Sequence, residues 1–259
     1  MRDVNPPPYG VWPYLGSISM KAFGICVLCA LCAAGCATKS IQPDSDLAAR
    51  NLESSLGGRG VEIDLVKGAA QQSWGSGFSL GGGYILTAAH VVDSAVGETG
   101  IFVRFYDEVV PAQIVAIGNR VDRDVAVLKL DRPVFALPLA PQVPLCKAAI
   151  APAEPLLVVS AGGPFRSYSV PAGYPGIASA PGTGATTTHF APGASGSAVI
   201  SVLGQCIGGV ISQEAVSDAS IGHRPERMVQ ATDHSTTFSD LAALKAVLSA
   251  VPSVASVAD

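Results

Sequence analysis

From Val61 onward, the chain consists of short apolar or alternating runs that are broken by turn residues. Val61, Ile63 and Leu65 are two residues apart, with polar residues between them. Because successive side chains of a strand point to opposite faces, these three would lie on one face. The run at 125–128, Val-Ala-Val-Leu, is apolar throughout and is typical of a buried strand. Long segments of helical period do not occur until near the C-terminus. This pattern predicts an all-β fold.

Composition and charge narrow the class of protein. The chain has 259 residues, of which 49% are hydrophobic and 14% are charged, as in folded globular chains. Its formal net charge is −4, and no cluster of Lys and Arg could follow a phosphate backbone, so we do not expect nucleic acid as a partner. Outside an apolar N-terminal run, no cysteine or histidine spacing is typical of a zinc site. We therefore expect no metal and no cofactor.

An apolar stretch near the N-terminus predicts export from the cytoplasm. It runs from Ala22 to Ala34, directly after Met20 and Lys21. A basic start followed by a short apolar segment and small residues is typical of a secretory signal peptide. The stretch is shorter than the ~20 residues that a membrane-spanning helix needs. If Met20 is the true start, residues 1–19 are an upstream extension that takes no part in the fold.

The segment at 31–36, Leu-Cys-Ala-Ala-Gly-Cys, resembles the lipobox of bacterial lipoproteins. Ala33 departs from the commonest form, in which leucine stands at this position. The resemblance implies that Cys36 is lipidated and becomes the mature N-terminus of a periplasmic or cell-envelope protein that is bound to the membrane by its lipid. Ordinary signal-peptidase cleavage nearby is the alternative. Residues 37–58 are polar and predict a flexible tether between this signal and the body.

A proline-rich stretch divides the body into two sets of predicted strands. Residues 137–141 read Leu-Pro-Leu-Ala-Pro, and Pro144 follows. Near the C-terminus, leucines at helical spacing predict a helix, with Ser239 as a possible N-cap. The expected domain over residues 59–250 has three parts, which are a first barrel over about 59–137, a second barrel over about 145–235 and a closing helix over about 239–250.

Three short motifs supply the groups that acyl transfer needs, namely a hydroxyl nucleophile, a base and a carboxylate that orients the base. Thr-Ala-Ala-His ends at His90, Asp124 stands immediately before the run at 125–128, and Gly-Ala-Ser-Gly surrounds Ser195. In this order the motifs resemble those of the trypsin-like serine proteases, Thr-Ala-Ala-His, Asp-apolar-Ala-apolar-Leu and Gly-x-Ser-Gly. The resemblance covers roughly residues 61–213.

The resemblance implies a chymotrypsin-type fold of two six-stranded antiparallel β-barrels. It also implies a serine endopeptidase that cleaves protein or peptide substrates. Ser195 would be the nucleophile, His90 would accept and return its proton, and Asp124 would orient the imidazole. Backbone N–H groups of Gly193 and Ser195 would form the oxyanion hole. Asp122 competes with Asp124 for the acid's role, and we prefer Asp124 because the apolar run follows it directly.

Two departures bear on activation and specificity. Ala194 stands where digestive members of the family carry the acid that receives the new N-terminus after zymogen cleavage, so that route of activation is not expected. The sequence Gly-Ala-Ser-Gly-Ser is closer to bacterial members.

His189 and Ser212 are candidates for the specificity pocket. His189 would favour an acidic substrate side chain there, or it is a histidine of the surface or the pocket wall.

Cys146 and Cys206 leave two possibilities open. They could pair in an oxidising periplasm, or both could be buried thiols. For the protein as a whole, the alternative to an active peptidase is a catalytically silent barrel that serves as a binding or scaffolding lipoprotein.

Overall fold

Two groups of antiparallel strands are the main secondary structure of the computed structural model. The structure describes residues 42–68, 70–95, 99–134, 142–170, 183–212 and 236–255. One group precedes and the other follows the proline-rich stretch, so the all-β fold of two six-stranded units is confirmed.

The first group closes into a barrel. Its six strands are β1 (Gly60–Lys67), β2 (Ala70–Gly81), β3 (Tyr84–Thr87), β4 (Thr99–Phe105), β5 (Glu108–Ile117) and β6 (Ala126–Leu130). Their spatial order is β1-β2-β3-β6-β5-β4, and β4 pairs back onto β1. Ile63 and Leu65 are fully buried, as the alternation in β1 predicts. Asp64 between them is also buried. Its carboxylate accepts a 2.9 Å hydrogen bond from Arg104 on β4, as a buried polar group requires.

The second group is a six-stranded sheet that curls toward closure. Its strands are β7 (Pro155–Ser160), β8 (Gly163–Tyr168), β9 (Thr183–Thr186), β10 (Ala198–Ser201), β11 (Cys206–Ile211) and β12 (Thr236–Ser239). Their order is β8-β7-β10-β11-β12-β9, and an antiparallel bridge between Ser169 and Thr186 brings the two edges together. β10 and β11 are consecutive and form a hairpin through residues 202–205.

The side chains of β7 alternate between two apolar cores. Leu157 and Val159 belong to the core that is continuous with the first barrel. Leu156 and Val158 belong to a smaller cluster with Phe238 inside the second sheet. A strand that is apolar on both faces is therefore what packs the two units against each other.

A helix lies where the sequence predicts a flexible tether. Helix α1 (Gln42–Leu56) packs against β7 and β8. The buried side chains of its apolar face are Ala49, Leu52 and Leu56. Arg166 on β8 donates two hydrogen bonds to the Glu53 carboxylate, at 2.5 Å from Nε and 2.9 Å from Nη2. The prediction of a tether over residues 37–58 is therefore wrong for α1, because its few apolar residues recur at helical spacing and face β7 and β8.

The remaining helices are short. They are α2 (Ala89–Val92), α3 (Leu241–Leu248) and α4 (Pro252–Ala255). The N-cap of α3 is Asp240 rather than Ser239, because the Asp240 carboxylate accepts hydrogen bonds from the N–H groups of Ala242 and Ala243, whereas Ser239 ends β12. Within the described ranges, no helix combines the length and the apolar character needed to cross a membrane.

Cys146 and Cys206 are joined by a disulfide, with their Cα atoms 4.9 Å apart. Cys146 lies just before the second sheet and Cys206 begins β11. Next to the disulfide, Leu145 and Ile207 form a parallel bridge. Of the two possibilities that the sequence leaves open, the structure contains the bonded pair.

We expect reduction of this disulfide to destabilise the fold. The bond closes a loop with a sequence separation of 60 residues. On the chain-entropy model, its loss lowers the free energy of unfolding by about 4 kcal/mol. Urea unfolding with and without reductant measures the difference, and the Cys146→Ala/Cys206→Ala double variant should not respond to reductant. Identical midpoints for the reduced and oxidised wild type would contradict the prediction.

Candidate active site

His90 lies in the first turn of α2, directly after β3. β3 ends at Thr87, and α2 begins at Ala89. Ala88 and Ala89 are completely buried, which explains why small residues precede the histidine. The His90 side chain itself keeps 16% of its surface exposed, so it lies at the edge of the core.

The Asp124 carboxylate holds His90 at two points. Its Oδ1 accepts a 2.8 Å hydrogen bond from the backbone N–H of His90, and its Oδ2 lies 2.6 Å from Nδ1 of the ring. Because an ionised carboxylate only accepts hydrogen bonds, Nδ1 carries the proton. Nε2 of the ring is therefore left as the basic nitrogen, and the ring can turn only by breaking the bond to Oδ2.

The hydroxyl of Ser212 donates a short hydrogen bond to the same Oδ2. The sequence suggests Ser212 for the specificity pocket, and in the structure its buried hydroxyl contacts the Asp124 carboxylate. The chain position gave no sign of this role, because Ser212 follows β11 in the second sheet whereas Asp124 precedes β6 in the first barrel. Only the packing of the two units brings them together.

These contacts determine the charge state of Asp124. Burial acts to raise the pKa of its carboxyl group, but the hydrogen bond and the charge of His90, together with the hydroxyl of Ser212, outweigh burial. The pKa of Asp124 is therefore below its ordinary value. An ionised carboxylate can accept all three of these hydrogen bonds.

Asp122 has a different environment. It is exposed, and its carboxylate accepts a 3.1 Å hydrogen bond from the side-chain amide of Asn119. Asn119 in turn accepts from the backbone N–H groups of Val121 and Asp122, so these residues form an exposed turn. Of the two acids, the structure joins Asp124 to His90.

Ser195 lies in a tight turn over residues 193–197, the serine turn, in which two glycines have positive φ. Gly193 has φ +92° and Gly196 has φ +90°, a region that only glycine adopts readily. A Cβ at Gly193 would lie 1.7 Å from the ring of Trp74, and one at Gly196 would lie 2.0 Å from the carbonyl oxygen of Ser76. The positive φ favours glycine at both positions, and at Gly196 the backbone of Ser76 also leaves no room for a side chain, whereas the ring that a Cβ at Gly193 would meet belongs to an exposed side chain.

The N–H groups of this turn fall into two sets. Those of Ala194, Gly196 and Ser197 donate to backbone carbonyl oxygens. Among the described residues, no hydrogen bond is made by the N–H groups of Gly193 and Ser195. These two donors are the ones that the sequence suggests for an oxyanion hole.

Gly75 lies between the histidine and the serine. A Cβ at Gly75 would be 2.8 Å from the side chain of Val91, the residue after His90, and 3.1 Å from the carbonyl oxygen of Ser195. The missing side chain therefore lets α2 and the serine turn approach the same point of β2. In the described residues, hydrogen bonds join His90 to Asp124 but do not join His90 to Ser195.

His189, the other candidate for the specificity pocket, is exposed. Phe190, the next residue, is buried, and its N–H donates to the hydroxyl of Thr236. Residues 213–235 lie outside the described residues, as does the proposed lipidation site Cys36. Within the described part of the chain, no group of three or more His, Cys, Asp or Glu residues could hold a metal ion.

Comparison with known proteins identifies the family. The model of the trypsin-like peptidase domain matches residues 75–208, which is more than half of the chain. The chain therefore belongs to the trypsin-like peptidase family. A peptidase domain implies protein or peptide substrates. No match was found among the curated proteins.

Two solved structures show the same fold. The active form of the Rv3671c protease from M. tuberculosis superposes with a TM-score of 0.55 at 18% identity, covering 79% of this chain and 86% of that one. The inactive form of the Rv3671c protease gives a TM-score of 0.51 at 17% identity, covering 78% and 93%. At such identities, the likeness concerns the fold alone.

We expect the stability provided by Asp124 to be lost in acid. Because its pKa is lower in the folded protein, the ionised carboxylate contributes stability that is fully present above the unfolded pKa of about 3.9 and is lost as the pH falls through the folded pKa. The free energy of unfolding of the wild type should therefore exceed that of Asp124→Asn by an amount that shrinks below about pH 4.

Urea unfolding of both proteins between about pH 6 and pH 2.5 measures this difference. Asp122→Asn, which changes the exposed acid two residues away, is the matched control. A wild-type advantage over Asp124→Asn that stays constant down to the lowest pH would contradict the prediction.

Proposed function

We propose that this protein is a serine endopeptidase in which Ser195, His90 and Asp124 form the catalytic triad. The observation that carries the proposal is the two-point contact of Asp124 with His90. It leaves Nε2 as the basic nitrogen of a histidine that remains partly exposed, which is what a general base requires. A purely structural histidine would not need a buried carboxylate on both its backbone and its ring.

Acylation would begin with attack by the hydroxyl of Ser195 on the substrate carbonyl carbon. The Oγ–C bond forms while the hydroxyl proton moves to Nε2 of His90. His90 then gives this proton to the leaving amine as the peptide C–N bond breaks, which leaves an acyl group on Ser195. In the second half, water attacks the acyl carbon while His90 takes a proton from the water. The bond between this carbon and Oγ then breaks, the same proton returns to Oγ of Ser195, and the acyl group leaves as a carboxylic acid.

Asp124 would act on His90 throughout both halves of the reaction. It holds the tautomer in which Nε2 accepts the proton, and its negative charge stabilises the imidazolium that forms. The lowered pKa of Asp124 supports this role, because the carboxylate stays ionised at neutral pH. Ser212 would position Asp124 through the hydrogen bond to Oδ2.

The oxyanion of the tetrahedral intermediate would bind to the backbone N–H groups of Gly193 and Ser195. Both donors lie in the turn that carries the nucleophile, and neither donates to another described residue. Donors that are already oriented cost no reorganisation when charge develops on the substrate oxygen. The positive φ of Gly193 is the conformation that the turn needs to present the first of them.

Labelling with a fluorophosphonate probe tests this proposal. The wild type should become labelled at one site, Ser195→Ala should not react, and His90→Ala should react slower by a factor on the order of 10⁶, as when a triad member is removed. Asp122→Ala is the matched control and should label at the wild-type rate, because the exposed carboxylate does not contact His90.

Circular dichroism of each variant confirms that it is folded. A folded wild type that stays unlabelled would contradict the proposal and would favour the silent barrel with a binding role. Equal labelling of wild type and His90→Ala would also contradict it.

We further propose that the protein is exported and anchored to the bacterial cell envelope through a lipid on Cys36. The support is the sequence alone: the apolar stretch that ends at Ala34 and the lipobox-like residues before Cys36. A single acyl chain binds a bilayer only marginally, whereas several chains on one cysteine give stable anchoring.

Metabolic labelling with a palmitate analogue tests the anchor. The wild type should be labelled and recovered with membranes, and Cys36→Ala should be neither. Cys32→Ala, which changes a cysteine of the same apolar stretch, is the matched control and should keep the label. Label that persists in Cys36→Ala would contradict the proposal.

A further inference from the structure

Ser76 makes three hydrogen bonds at the junction of the two units. It lies in β2 and is 1% exposed. Its backbone N–H donates to the carbonyl oxygen of Ser195 at 2.7 Å, and its hydroxyl donates to the carbonyl oxygen of Gly193 at 2.7 Å. The same hydroxyl accepts a 3.2 Å hydrogen bond from the N–H of Ala161, in the turn between β7 and β8.

Ser76 also contacts the far end of the serine turn. Its carbonyl oxygen would lie 2.0 Å from a Cβ at Gly196, and the hydroxyl of Thr87 donates to that oxygen at 2.7 Å. One residue of the first barrel therefore touches the turn at Gly193, Ser195 and Gly196. The backbone part of these contacts is available to any residue at position 76, but the bond to Gly193 needs a side-chain hydroxyl.

The bond to Gly193 matters because glycine is conformationally permissive. Gly193 has no side chain that could fix its orientation, and its neighbour Ala194 offers no charged group that could anchor the turn. Holding the carbonyl oxygen of Gly193 restricts rotation about the Cα of that residue. The direction of the Gly193 N–H on the other side of the same Cα is restricted with it.

We propose that the hydroxyl of Ser76, which belongs to the first barrel, is a positioning group. It holds the serine turn in the conformation that binds the oxyanion. This inference rests on the proposed function and adds a residue that does not contact the substrate. The bond from Ala161 to the same hydroxyl fixes which way the Ser76 proton points, because the oxygen accepts from one side and donates to Gly193 on the other. Ala161 of the second unit thus orients the Ser76 hydroxyl, and this hydroxyl restricts the serine turn.

The rate of fluorophosphonate inactivation measures the effect. In the reaction, the phosphoryl oxygen of the probe takes the place of the substrate oxyanion. Ser76→Ala should lower the limiting rate constant by about 10-fold, which is more than a bond of average strength gives and less than the loss of an oxyanion donor. The probe concentration at half-maximal rate should not change, because Ser76 does not reach the probe.

Ser76→Cys gives a graded comparison. A thiol is a weaker donor than a hydroxyl but can still bond to the carbonyl oxygen of Gly193, so its rate constant should fall between those of the wild type and Ser76→Ala. If Ser76→Ala does not fold, this variant carries the test. Ser79→Ala removes another buried serine hydroxyl of β2 that does not contact the serine turn, and it should react at the wild-type rate.

The pH dependence separates positioning from general damage. His90 and Asp124 are untouched, so the midpoint of the rate against pH should be the same in Ser76→Ala and the wild type. A Ser76→Ala protein, or failing that a Ser76→Cys protein, that reacts at the wild-type rate would overturn the inference while leaving the proposed function intact. A shifted pH midpoint would also overturn it. An unreactive wild type would overturn the proposed function and this inference together.

Discussion

The hydrogen bond from the backbone N–H of Ser76 to the carbonyl oxygen of Ser195 joins the two halves of the site. His90 and Asp124 belong to the first barrel, whereas Ser195 belongs to the second sheet. Neither unit contains a complete site. The distance between base and nucleophile therefore depends on how β2 meets the serine turn, and glycine at position 75 allows this close approach. Leu157 and Val159 of β7 stabilise the same interface, because they belong to the apolar core that is continuous with the first barrel.

A second constraint is the burial of Asp124. A carboxylate that is 3% exposed would be strongly destabilising without hydrogen bonds to its charged form. The backbone and ring of His90 and the hydroxyl of Ser212 provide these bonds. The groups that stabilise the buried Asp124 carboxylate are thus the groups that the proposed chemistry uses. A change to His90 or to Ser212 therefore alters both stability and reactivity. This coupling is typical of sites in which electrostatic preorganisation is built into the fold.

The sequence predicts the elements whose signals are local and misses contacts made by distant segments. The alternation of β1 and the apolar run after Asp124 predict an all-β fold, whereas the two barrels and the candidate site residues follow from the resemblance of the three motifs to a known family. Helix α1 was missed because its few apolar residues lie among polar ones. It packs against β7 and β8, and the residues of these strands are distant in the sequence. The roles of Ser212 and Ser76 depend on contacts across 88 and 117 residues, which no window of sequence contains.

The central claim is that Ser195 is the nucleophile and that its own turn binds the oxyanion. A crystal structure of the fluorophosphonate adduct tests this most directly. We expect phosphorus to be bonded to Oγ of Ser195, with the phosphoryl oxygen within about 2.7–3.1 Å of the N–H nitrogen atoms of Gly193 and Ser195. Phosphorus on another side chain, or a phosphoryl oxygen that points away from the turn, would contradict it.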